Sequence, residues 1–282
     1  MSHMRGIGLR TCSLARLMAL TVVPAAVLAI GAAPANAAPS PLNLCQASNG
    51  RVLIHRGSAT CSAVGAGSVA IATGADSSAT ATGANNHAYA TGSGSLATAE
   101  DGTGNTATAS GQFSGATVHG GSGNTATASG DLSAATLSLD PGDTGNIAVS
   151  SGELSSASAA HGNHNVVTAR GKQSLAGATG GDNNTVTASG FESGAGVFNG
   201  NGNTVLATGD LSAADAGGGN NNQATAGGEL SQAQAGQGNH NTATAIARLS
   251  VAFAGQGDNN ASIASTEGCQ AAATGSGVIS TC

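Results

Sequence analysis

"NTATASG" occupies residues 105–111 and returns unchanged at 124–130, and the variant "NTVTASG" stands at 184–190. The asparagine that opens this motif recurs along most of the chain. Every step is 19 residues except the one from Asn124 to Asn146, which is 22 because extra residues lie in "LSLDPGDTGN". A constant period near 20 residues, with insertions confined to turns, is typical of stacked repeat folds. The recurring positions are Asn86, Asn105, Asn124, Asn146, Asn165, Asn184, Asn203, Asn222, Asn241 and Asn260.

Each 19-residue unit divides into a nine-residue and a ten-residue half, and both halves alternate residue types before a glycine-rich turn. This period of two predicts a strand, a turn, a second strand and a second turn. We therefore predict an all-β fold, a parallel β-solenoid of about ten 19-residue coils with two short strands per coil. The alternation directs small apolar residues inward, such as Ala107 and Ala109 in one strand and Ala135 and Leu137 in the other.

The composition agrees with a narrow solenoid. The chain has 45 Gly, four Phe, one Tyr and no Trp, so it lacks the large side chains that fill a conventional globular core. Stacked repeats tolerate a thin interior of small residues. The alternative is a disordered low-complexity chain, which the constant period argues against.

Stacking would place the recurring asparagines in a row, about 4.8 Å apart. We expect each side-chain amide to donate a hydrogen bond to one neighbouring amide and to accept one from the other, as in the Asn ladders of cross-β assemblies. We also expect a second column near the turn to close one edge of the core. It comprises Phe113, Leu132, Leu154, Leu211, Leu230 and Leu249.

Residues 1–37 have the features of a secretory signal peptide, with three arginines, an apolar run and a cleavage site after Ala37. A membrane-spanning helix is the alternative, but Pro24 interrupts the run, which is shorter than the roughly 20 residues that a span needs. We expect residues 38–64 to form an N-terminal cap, 65–266 the solenoid and 267–282 a C-terminal cap. The expected location is secreted or in the cell envelope.

Signal cleavage would remove Arg5, Arg10 and Arg16 and change the net charge from −6 to −9. Nucleic acids and anionic membranes require clustered Lys or Arg. We therefore expect no nucleic-acid partner, and no membrane span after signal cleavage. The partner is expected to be a surface or extracellular ligand of unknown identity, and the sequence does not fix the oligomeric state.

Four cysteines remain after cleavage, and all lie outside the asparagine repeats. Because the ends of a rod are far apart, we expect the local pairs Cys45–Cys61 and Cys269–Cys282. Closing a loop of about 15 residues stabilises a fold by roughly 3 kcal/mol. Metal binding by these cysteines would require closer spacing.

No sequence pattern predicts an enzyme, a metal site or a cofactor. His161 and His164 form H-x-x-H, but they lie in a Gly/Asn turn, without Cys and with acids only at a distance along the chain, so we interpret them as turn residues. Asp140 and Asp143 in the inserted turn could hold one ion weakly. We expect no catalytic residue, no metal ligand and no cofactor.

Three resemblances bear on function. Residues 65–98, "GAGSVAIATGADSSATATGANNHAYATGSGSLAT", resemble the head repeats of YadA-like trimeric adhesins, which implies an adhesive role, although the period is longer here and no coiled-coil stalk or membrane anchor is evident. Turns such as "GGDNN" are similar to calcium-binding RTX repeats, but Asn fills the slot where calcium needs Asp. Thr-x-Thr rows resemble those of ice-binding solenoids and comprise Thr106, Thr108, Thr125, Thr127, Thr185, Thr187, Thr242 and Thr244.

The sequence therefore predicts a non-enzymatic, exported structural or adhesive β-solenoid at the cell surface or outside the cell. The alternatives are an ice-binding solenoid and a disordered secreted chain.

Overall fold

The computed structural model describes residues 42–282, and the predicted signal peptide 1–37 lies outside the described residues. No helix in this part of the chain is long and apolar enough to cross a membrane. The described residues form 26 strands. These are β1 Leu44–Ser48, β2 Arg51–Arg56, β3 Thr60–Val64, β4 Val69–Thr73, β5 Ser78–Thr82, β6 His87–Thr91, β7 Leu96–Glu100, β8 Thr106–Ala109, β9 Gly115–His119, β10 Thr125–Ala128, β11 Ala134–Ser138, β12 Ile147–Ser150, β13 Ser156–Ala160, β14 Val166–Ala169, β15 Leu175–Thr179, β16 Thr185–Ala188, β17 Gly194–Phe198, β18 Thr204–Ala207, β19 Ala213–Gly217, β20 Gln223–Ala226, β21 Gln232–Gly236, β22 Thr242–Ala245, β23 Val251–Gly255, β24 Ala261–Ala264, β25 Gln270–Thr274 and β26 Ile279–Thr281.

The strands build two sheets. Sheet A has 14 strands in the order β2-β1-β4-β6 and then every even-numbered strand to β26, and sheet B has 12 odd-numbered strands from β3 to β25. From β3 onward every strand pairs in parallel with its equivalent in the next coil, as Thr106 does with Thr125. The predicted all-β parallel solenoid with two strands per coil is confirmed.

The solenoid has about twelve coils, more than the ten that the asparagines indicate. The first coils repeat every 18 residues: Thr60 pairs with Ser78, and Val69 pairs with His87. The corner before β4 carries the buried Ser68 in place of asparagine. A period taken from asparagine alone therefore misses these coils.

The core is a double column of small residues between the sheets. Ala107, Ala109 and Ala135 are fully buried, as predicted, and Leu137 is one of the largest side chains in the interior. Parallel strands with both faces covered normally carry Val, Ile and Leu. Here alanine dominates, because the inward side chains of both sheets share one thin layer between them.

The prediction that the column of Phe113 and five leucines closes one edge of the core is wrong. Its six side chains are 38–53 % exposed, and their φ angles are 50–58°, in the left-handed region. The residue after each of them, a serine, is buried instead. Ser114, for example, donates a hydrogen bond from Oγ to the backbone carbonyl of Gly111, at 2.9 Å. The serine closes the corner, so the leucine or phenylalanine before it points to solvent.

Glycines three residues before the buried serines, as Gly111 is before Ser114, allow neighbouring coils to approach closely. A Cβ on Gly171 would fall onto the backbone carbonyl of Gly190 in the next coil. The same conflict with the backbone of the next coil would arise at every position of the column, which comprises Gly111, Gly130, Gly152, Gly171, Gly190, Gly209 and Gly228. Close contact between backbones therefore favours glycine at these seven positions.

Each end of the described rod carries a disulfide at the predicted local pair. Strand β1 is antiparallel to both β2 and β4, and Cys45 in β1 bonds to Cys61 in β3 across a Cα–Cα distance of 5.5 Å. Cys269 and Cys282, on either side of β25 and β26, are joined across 6.0 Å. Each disulfide therefore ties sheet A to sheet B at one end.

Candidate functional site

The recurring asparagines form a continuous ladder at one corner of the coil. All ten side chains are buried, with at most 1 % exposure. The side-chain Oδ1 of each asparagine accepts a hydrogen bond from the backbone N–H of the asparagine in the next coil, at 2.8–3.0 Å. The last member, Asn260, accepts from the N–H of Val278. The 22-residue step between Asn124 and Asn146 is bridged like the others.

The amide groups mainly bond to backbone and not to one another, which corrects the expected side-chain ladder. The Nδ2 of Asn184 donates to the carbonyl of Gly200 in the next coil, at 2.9 Å, while its Oδ1 accepts from the N–H of Asn203. Each amide thus mimics a peptide unit. Direct amide–amide bonds occur only at Asn124 and Asn146 among the described ladder residues, at 3.2 and 3.3 Å.

A second row of Asn and Asp, two residues before the ladder, was missed by the sequence reasoning. The side chain of Asp182 accepts the N–H of Asn163, and that of Asn201 accepts the N–H of Asp182, each at 2.7 Å. The row continues through Asn220, Asn239 and Asp258. The recurrence of Asn or Asp at this position in consecutive coils was the available signal. Asp182 and Asp258 therefore serve as turn acceptors.

The predicted threonines lie on the outward surface of sheet A, which we call face A (the outward residues of the even-numbered strands β4 to β26). Thr106 and Thr108 align with Thr125 and Thr127 in the adjacent coil. The pairs Thr185/Thr187 and Thr242/Thr244 are each flanked by coils that carry at most one threonine of the pair. The complete double row therefore extends over only two adjacent coils.

Face A carries no Asp, Glu, Lys or Arg among the residues that the structure describes. Its other members include Ile147 and Val149, which align with the threonines of β10. With strands about 4.8 Å apart, the face is about 55 Å long. Among the described residues it is a strip without carboxylate, lysine or arginine side chains on an acidic rod.

Among the described residues, the outward surface of sheet B contains one aspartate with a buried and unpaired carboxylate oxygen. Asp215 lies between Gly196 of β17 and Gln234 of β21. Its Oδ1 is buried and accepts no hydrogen bond. Burial raises the pKa of Asp215 to about 6, and the backbone N–H of Gly217 opposes this rise only in part.

The remaining charged groups lie mainly at turns. The Oδ1 atoms of Asp131 and Asp210 accept backbone N–H groups from the preceding coil, each at 2.9 Å. Glu153 pairs with Lys172 at 3.1 Å, and Glu229 pairs with Arg248 at 3.5 Å. These side chains are about half exposed, so each pair stabilises the fold by at most about 1 kcal/mol.

His161 is closer to acidic residues than the sequence suggested. Its Nδ1 lies 3.0 Å from Oδ2 of Asp140, in the turn of the preceding coil. His164 instead occupies a left-handed position next to Gly145. The two histidines of the H-x-x-H pattern therefore have different neighbours.

The described residues also form an open cleft at the N-terminal cap, lined by Cys45, Val52, His55, Thr60 and Cys61. His55 is its only side chain with an acid–base group, since both cysteines are in the disulfide.

The chain matches no protein-family model and no curated protein. The features of this chain that bear on its function are therefore the faces, corners and ends of the solenoid.

Proposed function

We propose that this protein is an exported, non-enzymatic structural solenoid that adheres through face A, at the cell surface or outside the cell. The observation that carries the proposal is the contrast between face A and the rest of the rod. Face A is about 55 Å long and carries no Asp, Glu, Lys or Arg among the described residues, whereas the chain as a whole is acidic. A contact surface of this kind suits a broad, uncharged partner better than a nucleic acid or an anionic membrane.

Export is supported by the two disulfides, because such bonds persist in oxidising compartments. A structural role is supported by the two ladders, which satisfy the polar groups of the corners from one coil to the next. The adhesive role also rests on the resemblance of residues 65–98 to adhesin head repeats. The ordered solenoid fold argues against the alternative of a disordered chain.

Cell fractionation and a binding assay test this proposal. The full chain, expressed with its own leader, should appear in the envelope or the medium. The exported protein should bind the envelope fraction of the producing cells. Introducing Thr127→Lys and Thr187→Lys on face A should weaken this binding at least about tenfold.

The matched control introduces the same charge on sheet B, with Thr136→Lys and Ser158→Lys at half-buried outward positions. This control should bind like the wild type. Retention of the chain inside the cell would refute export. Equal binding by both double variants would refute the role of face A.

Ice binding is the second candidate, and the register of the Thr106/Thr108 and Thr125/Thr127 pairs favours it. The interruption of the row by Ile147 and Val149 limits this patch to two coils. Thermal hysteresis that is lost in Thr127→Lys and kept in Thr136→Lys would support ice binding. No hysteresis in the wild-type protein would exclude it.

A further inference from the structure

The 22-residue step of the repeat, the longest one, brings three metal-ligating side chains together. Asp140 and Asp143 lie in the turn after β11, and His161 lies in the turn after β13. Because β11 and β13 pair in parallel, with Ser138 opposite Ala160, the two turns are stacked. The extra residues in the first turn extend it, so that it presents two carboxylates to the imidazole above.

One potential ligand atom from each of the three residues lies within 4.8 Å of the other two. The closest pair, Oδ2 of Asp140 and Nδ1 of His161, is 3.0 Å apart. With metal–ligand distances of about 2.1 Å, adjacent ligands of a Zn²⁺ ion are separated by about 3 to 3.5 Å. Small side-chain rotations would therefore bring all three atoms around one ion.

The local charge favours a cation. Asp143 is only 8 % exposed, and its Oδ2 accepts one hydrogen bond, from the backbone N–H of Asp140. Two carboxylates held this close repel each other unless a positive charge lies between them. Among the described residues, the only ion pair that Asp140 makes is with His161.

We propose that Asp140, Asp143 and His161 bind one divalent transition-metal ion of the Zn²⁺ class. An imidazole nitrogen combined with carboxylate oxygens favours Zn²⁺ and its neighbours over Ca²⁺ and Mg²⁺, which take oxygen ligands. Asp140 and His161 have exposed side chains, so water can complete the coordination. The ion would link two successive coils at the inserted turn. This inference does not depend on the proposed adhesive function.

A second histidine–aspartate pair in the chain, His119 with Asp101, is the control for the proposed site. Nε2 of His119 lies 3.2 Å from Oδ2 of Asp101, with exposures similar to those of the His161–Asp140 pair. No third metal-ligating side chain joins this pair among the described residues. His119 therefore has a carboxylate neighbour without the proposed site.

Titration calorimetry with ZnCl₂ on the full exported chain tests the proposal. The wild type should bind one Zn²⁺ per chain. His161→Ala and Asp140→Asn should each weaken binding at least about tenfold, while His119→Ala should stay within about twofold of the wild type. NMR of the imidazole C–H signals should show Zn²⁺ shifting His161 and not His119.

Melting curves recorded without metal should agree among the variants, which separates a lost ligand from a lost fold. The proposal is overturned if the wild type does not bind at about 1 mM Zn²⁺. It is equally overturned if His119→Ala weakens binding as much as His161→Ala, or if CaCl₂ binds better than ZnCl₂.

Discussion

Replacing Asp215 by Asn should change how the stability of the solenoid depends on pH. Asp215 lies on the outer surface of sheet B with its Oδ1 buried and without a hydrogen bond. The neighbouring strands, Gly194–Phe198 and Gln232–Gly236, contain no ionisable side chain. Burial is therefore the main cause that raises the pKa of this carboxyl from 3.8 to about 6.

The sign follows from proton binding. The folded protein holds the Asp215 proton more tightly than the unfolded chain, so the stabilising contribution is complete below pH 3.8 and is lost as the pH rises through about 6. A pKa difference of about 2 units corresponds to about 3 kcal/mol. The free energy of unfolding of the wild type should therefore fall by about 3 kcal/mol relative to Asp215→Asn between about pH 4 and pH 7.

Urea unfolding followed by circular dichroism, at several pH values from about 4 to 8, measures this difference. Titration of all other groups cancels when the two proteins are compared. Asp76→Asn, which removes an exposed carboxylate, is the control and should follow the wild type. Parallel curves for the wild type and Asp215→Asn across this range would show that the carboxylate is hydrated and would refute the argument.

Three further changes test the corners, the coil spacing and the ends. Asn184→Ala should lower the free energy of unfolding by about 2–4 kcal/mol in urea titrations, because it leaves a buried N–H and a half-buried carbonyl unpaired. Gly171→Ala should cost at least about 2 kcal/mol in the same assay, since its Cβ would meet backbone, whereas Gly115→Ala, where a Cβ meets open space, should be neutral or slightly stabilising. Replacing Cys45 and Cys61 by Ser should cost about 3 kcal/mol and increase hydrogen exchange in β1 and β3. Unchanged exchange there would contradict a capping role.

The period and the alternation of residues were sufficient to predict the fold. A constant 19-residue step fixes which residues stack, and the alternation fixes which of them point inward. The turns were harder, because side-chain direction there depends on backbone angles and not on alternation. Leu132 is exposed because its φ is 54°, and the neighbouring Ser133 is buried because its hydroxyl bonds to the carbonyl of Gly130. Hydrophobicity alone gave the opposite prediction.

The candidate sites were predicted in part. The ladder positions followed from sequence, but the pairing of amides with backbone depends on how each corner turns. The closeness of Asp140 and His161 follows only after the coils are stacked, since 21 residues separate them along the chain. The repeat pattern does not encode the burial of Oδ1 of Asp215.

The corner bonds also have a consequence for how the gene can change. Each coil contacts only its two neighbours and offers the same partners above and below, as in other quasi-one-dimensional repeats. Unequal recombination that adds or removes 19 codons would therefore lengthen or shorten the rod and restore every bond at the new junction. A one-codon insertion within a strand would instead turn the following alanines of that strand toward solvent. Rod length can thus vary in whole coils, while a one-residue insertion within a strand would disrupt the core.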